Sequence, residues 1–228
     1  MVYLNAPSDS PSSTDVKRSR TQLREETRSR LIRTGAVILC EQSYASMGIE
    51  AVLQRAGLSK GSFYHFFASK ELFGLEVVKH YAEFFNRRLD RTLKPDGTPA
   101  LSRLRRYTED GMEGMARFDF TRGCLIGNLM QELAATHPAF RQAISEVLSG
   151  WENRIANCLE QAISEGDLLP STNIRPFAEF FWTGWEGALM QAKRHQSVEP
   201  VAQFVQVFFM ALPRADNRSL THPNNEHR

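Results

Sequence analysis

Ala56-Gly57-Leu58-Ser59-Lys60-Gly61-Ser62-Phe63-Tyr64-His65-Phe66-Phe67 carries a tight turn, Ala56 to Ser59, between two helical segments. Gly57 permits a left-handed backbone in the turn, Leu58 plugs the small core between the helices, and Ser59 is placed to cap the second one. Beyond the turn, Phe63 and Phe66 fall on the inner side of a short helix, which leaves Lys60, Gly61, Ser62, Tyr64 and His65 for its outer surface. This is a helix-turn-helix pattern, and its outer face suits the major groove of DNA. Gly61 lets the backbone approach, Ser62 can bond a base edge or a phosphate, and Tyr64 and His65 can reach phosphates. Lys70 adds a phosphate clamp beside the positive end of the next helix. Singly, each residue has a plainer reading, Tyr64 as packing and His65 as a solvated side chain. The set of Ser59, Lys60, Gly61, Ser62, Tyr64, His65 and Lys70 is what points to DNA.

Outward from this turn the chain is expected to be all-α, because helical periodicity runs through nearly everything after Thr21 and no period-two alternation is sustained. The clearest stripe is Leu75, Val78, Ala82, Phe85 and Leu89, one face of a helix that starts near Ser69 and stops before Pro95 and Gly97. The same signals place further helices at about 24–42, 48–55, 59–67, 99–118, 123–135, 138–165, 175–195 and 199–212. Residues 21–70 are read as the DNA-binding domain, with the helix-turn-helix at about 48–67. Residues 71–212 are read as a larger helical domain, to which the resemblance given below assigns ligand binding and dimerisation. The polar ends, 1–20 and 213–228, are expected to be loose tails.

Charge is distributed unevenly. Residues 17–70 hold ten Lys/Arg against four acids, whereas residues 71–228 hold 18 against 20. A basic quarter either meets a polyanion or is a solvated helix face, and charge alone leaves both open. Apolar residues make up 42% and charged residues 24%, ordinary values for a globular chain. The three cysteines are widely spaced and form no C-x-x-C pair, which fits a reducing cytoplasm. No apolar run approaches the roughly 20 residues that cross a bilayer, since Glu179 and Glu186 interrupt the stretch around Phe180 and Trp182. A cytoplasmic protein without membrane contact is expected.

Residues 57–73, GLSKGSFYHFFASKELF, resemble the DNA-binding region of the TetR family of repressors, and the likeness extends back through the first helix from Arg24. The resemblance implies a homodimer, a recognition helix at about 59–67, and release from a palindromic operator when a small molecule binds the larger domain. Met47-Gly48-Ile49 stands where members of that family often carry paired threonines, so this end lacks that source of a phosphate contact. Further on, Arg122-Gly123-Cys124-Leu125-Ile126-Gly127-Asn128-Leu129 with Gln131-Glu132, and the run from Phe180 to Ala188, resemble the acrylate-utilisation branch of the family. That likeness implies an inducer such as acrylate or a related short unsaturated acid or thioester.

The helix after Phe177 is apolar over a broad arc, with small residues that allow close approach. Phe177, Phe181, Gly184, Trp185 and Ala188, with Phe204 and Phe208 of the next helix, are assigned to a subunit interface. The competing reading is a core covered within one chain. A palindromic site favours the dimer, because two recognition helices must sit about 34 Å apart. The sensor pocket is expected near Tyr107, Met112, Met115, Cys124, Asn128 and Trp151, each of which could also be ordinary core. Asn128 stands out as an amide on an apolar helix that needs a partner. Cys124, at a helix start beside Arg122, has two readings: a small buried residue, the commoner role of a free cysteine, or a thiol of lowered pKa that suits an electrophile or redox sensor. An enzyme-like helical protein without a DNA role is the rival reading. Against it, the six histidines show no metal-ligand spacing and no nucleophile or phosphate-loop motif is present. No cofactor or metal is called for.

Overall fold

The computed structural model describes residues 19–215, so the expectations for most of both polar tails lie outside the described residues. Nine helices account for nearly all of that span: α1 (Arg20–Glu41), α2 (Ile49–Ala56), α3 (Lys60–Phe66), α4 (Lys70–Leu93), α5 (Ala100–Arg117), α6 (Leu125–Leu133), α7 (Pro138–Ser164), α8 (Ile174–His195) and α9 (Glu199–Ala211). Among the described residues the β contribution is a single bridge between Leu168 and Arg214.

Local chemistry explains the ends. α1 starts earlier than its apolar periodicity suggests, because Ser19 and Gln22 form a reciprocal capping box and the straight polar side chains of the first turn favour a helix. α2 ends at Gly57, whose φ of 64° is the left-handed conformation that a side chain resists. Ser59 precedes α3, but its hydroxyl makes no capping bond and lies 3.2 Å from that of Ser62. The expected side-chain cap is therefore corrected to a hydroxyl pair. Ser69 does cap α4, accepting from Leu72 N at 3.1 Å.

α4 is the spine. α1 packs on it, α5 and α7 flank it, α8 lies on α7, and α9 on α8. One continuous core runs from Leu31 of α1 to Phe209 of α9. The deeply buried Arg103 ties three helices together, donating to Leu93 O at 2.6 Å and Gln161 Oε1 at 2.7 Å. A charge inside a helical core is tolerable only with such partners.

Candidate nucleic-acid interface and sensor interior

α3 is held by its inner side. Phe63 is fully buried and meets Phe67 and Phe73 edge-on or tilted, at 5.5 and 5.2 Å between ring centroids. With that ring fixed, Ser59, Lys60, Gly61, Tyr64 and His65 are exposed and Ser62 is half-buried. Tyr64 is 67% exposed, too much for packing to explain it. Lys60 pairs with Glu50 across the turn. Lys70 turns back instead, its Nζ 4.5 Å from the Tyr44 ring centre and 3.4 Å from Ala45 O, and burial lowers its pKa.

α6 is tied to the α1–α2 segment by several polar contacts. Glu132 accepts from Tyr44 N and Ala45 N, both at 2.7 Å. Asn128 Nδ2 donates to Leu39 O at 3.0 Å, and Gly123 N donates to Cys40 O at 2.8 Å. Glu41 receives Arg55 at 2.5 Å and Arg122 at 3.0 Å. Burial works against the Glu41 carboxylate, but the two guanidinium groups outweigh it and hold its pKa below the usual range.

The other end of α6 points into the body. Cys124, its N-cap, lies 3.7 Å from Tyr81 Oη, which also accepts from Leu125 N at 3.3 Å. An aromatic wall surrounds this point. Tyr81 stacks on Phe85, Phe85 meets Trp151, and Trp182 of α8 touches both Trp151 and Tyr107. Glu186, one turn after Trp182, is buried, and its pKa is pushed up to about 7 by burial, against a hydrogen bond from Cys124. A Cβ on Gly127 would run into the Glu186 carboxyl, which would have to swing aside, so glycine lets α6 pass this group in its present position.

Tyr107, Cys124 and Trp151 thus come together in the interior. Met112 instead lines an open groove of about 430 Å³ between α5 and α9, with Arg105 and Phe209. Met115 is fully buried core. Asn128 is committed to the Leu39 carbonyl, so the partner that its amide needs comes from the chain itself. The reading of Cys124 as a thiol of lowered pKa is also corrected. Arg122 is turned to Glu41, and burial, reinforced by Glu186, raises the thiol well above its ordinary value. Maleimide at neutral pH is accordingly expected to leave Cys124 unlabelled in the native protein and to label it fully in denaturant, as peptide mass spectrometry would report. Labelling at comparable rates in both conditions would restore the electrophile reading.

The interface assignment divides. Phe181, Trp185, Ala188 and Phe208 are buried within the protomer, where Phe181 stacks on Trp185 and meets Phe208 edge-on, so they have no surface to offer a second chain. Phe177, Gly184 and Phe204 are half-buried, and Gly184 faces Phe204 of the same chain. The apolar side chains left outside on these helices are Phe180 and Met190 of α8 and Val207 and Met210 of α9. The sequence offers Glu132 and Glu186 only as members of the resembling stretches and, for Glu186, as a break in an apolar run, and it gives no sign of the Glu41 cluster. Among the described residues no group of His, Cys, Asp or Glu could hold a metal, and no helix is long and apolar enough to cross a membrane.

Residues 31–75 match the family described as bacterial regulatory proteins, tetR family, and residues 100–208 match the tetracyclin repressor-like C-terminal domain. The chain is 41% identical to the transcriptional regulator AcuR of Cereibacter sphaeroides over 178 residues, covering 78% of this chain and 81% of the relative. It is 28% identical to the HTH-type transcriptional repressor DhaR of a Mycobacterium species, covering 86% and 98%. The crystal structure of a regulatory protein TetR from Rhodobacter sphaeroides superposes with a TM-score of 0.78 at 39% identity, covering 82% of this chain and 98% of the other. These relatives are transcriptional regulators, not enzymes.

Proposed function

The chain belongs to the TetR family of DNA-binding transcriptional regulators, and from that premise we propose that it is a homodimeric repressor released from a palindromic operator by a short unsaturated acid or its thioester. Residues 21–70 form the DNA-binding domain in this reading, and residues 71–212 the sensing and dimerising body. The observation that carries it is the outer face of α3, where Lys60, Gly61, Tyr64 and His65 stand exposed on a helix fixed from behind by Phe63. Lys60 exchanges Glu50 for a phosphate, and Ser59, Ser62 and Lys70 flank the contact. The exposed apolar residues Phe180, Met190, Val207 and Met210 supply the centre of the subunit interface. The acrylate-type inducer rests on the sequence resemblance described above.

The test is a titration of the protein into labelled DNA from upstream of its own gene, at two salt concentrations, with and without acrylate and its thioester. Tight binding that weakens steeply with salt and is abolished by the ligand is expected. Lys60→Ala should flatten the log–log salt slope by about one for each protomer. Tight binding indifferent to both ligands removes the acrylate inducer, and no binding at low salt removes the operator.

A further inference from the structure

Two buried polar atoms of α8 have no hydrogen-bond partner among the described residues: Trp182 Nε1 and Glu186 Oε1. They sit four residues apart, a spacing that puts side chains on the same helix face with Cβ atoms roughly 5–6 Å apart. Trp182 is 3% exposed and Glu186 8%, so bulk solvent barely reaches them. Leaving such groups unsatisfied costs stability. A small ligand that pairs with both atoms recovers that loss.

We propose that Trp182 Nε1 and the Glu186 carboxyl form the polar end of the inducer site and bind a small free monocarboxylic acid as its anion, one oxygen accepting from each. The proposal rests on the reading of the chain as a ligand-released repressor, and it narrows the inducer from acid or thioester to the acid. An indole N–H is a donor only, and Glu186 becomes the second donor by keeping its proton, which burial favours up to about pH 7. The complex then holds one proton between two carboxyl groups, as closely paired carboxyls do. The short hydrocarbon tail meets the aromatic wall of Tyr107, Trp151 and Phe85. No bond is made or broken.

The surroundings isolate this titration. Tyr81 from α4 and Tyr107 from α5 are buried phenols with raised pKa values. Cys124 at the start of α6 is raised well above its ordinary value, and Cys40 from α1 is raised to about 12. Arg88 of α4 is paired with Asp110 of α5 at 3.0 Å, and α7 contributes the uncharged Trp151. Glu186 is therefore the group in this interior that changes charge between pH 6 and 8.

Calorimetric titration of the whole protein with acrylate, propionate and acrylamide at pH 6, 7 and 8 tests the assignment. Both acids should bind with little change from pH 6 to 7, then weaken by up to about tenfold from pH 7 to 8 as Glu186 ionises and repels the anion. Neutral acrylamide should bind with a flat profile. Glu186→Gln, permanently neutral and still a donor, should keep acrylate within about threefold of wild type at pH 6 and lose the fall above pH 7. Trp182→Phe should weaken acrylate about tenfold and leave the pH profile unchanged. A Gln variant with the wild-type profile overturns the site while leaving the repressor reading intact. If propionate binds as described but acrylate does not release the operator, the acrylate inducer falls and the site stands. Wild-type protein that binds none of the three overturns the site and the free acid as inducer, and leaves the repressor reading with the thioester.

Discussion

Phe63→Ala is expected to destabilise the protein by about 3–5 kcal/mol, the cost of truncating a fully buried aromatic that leaves a cavity. Phe63 is the one side chain of α3 with no exposed surface, and it lies against Phe67 and Phe73, the rings that hold α3 on α4. The loss should lower Tm by roughly 6–20 °C for a chain of this size. Specific operator binding should vanish while the far-ultraviolet helical signal at 25 °C stays close to wild type, since the remainder of the core is untouched. A thermal melt followed by circular dichroism gives the first number and an operator titration the second. A variant that melts like wild type would mean that α3 is held by something other than this ring.

Glu132→Ala should separate DNA binding from ligand sensing. Its carboxylate accepts from two main-chain N–H groups in the α1–α2 turn, and hydrogen bonds to a charged group contribute about 1.5–3 kcal/mol each. Coupling between sites in regulated proteins is typically about 1–3 kcal/mol, so one lost tether of this strength can remove most of it. The expected result is operator affinity within a few-fold of wild type, and an inducer concentration for half-release raised at least tenfold. Ligand binding itself should be unaltered, because Glu132 lies at the C-terminal end of α6, away from Cys124. Half-release at the wild-type concentration would mean that α6 does not signal through the turn.

Much of the architecture was legible because local chemistry wrote it. Gly57 with Ser59 marked the turn, Ser69 and Pro95 bounded α4, and apolar spacing gave the remaining helices to within a few residues. The inner and outer faces of α3 were also readable, since on so short a helix two phenylalanines determine which side is hidden. What escaped depends on partners distant in sequence. Asn128 looks like an amide in search of a ligand until the Leu39 carbonyl, 89 residues earlier, is brought beside it. The arc on α8 is apolar on two sides, and periodicity does not say which side packs on α5 and α9 of the same chain. Phe181 and Trp185 went inward and Phe180 and Met190 outward for that reason. Glu186 reads only as a charge that interrupts an apolar run, and its place beside α6 at Gly127 appears once the chain is folded.

Most of the ties from α6 and its leading segment to the end of α1 and the turn after it grip main chain there. Asn128 takes a carbonyl at position 39, Gly123 one at 40, and Glu132 the amides at 44 and 45. Contacts of that kind are indifferent to which side chains the turn or the recognition helix carries. Operator preference is then free to diverge during evolution without disturbing the sensor. On the proposed function, the same grip would let the body serve as a chassis for a different recognition helix, with the response to ligand expected to persist.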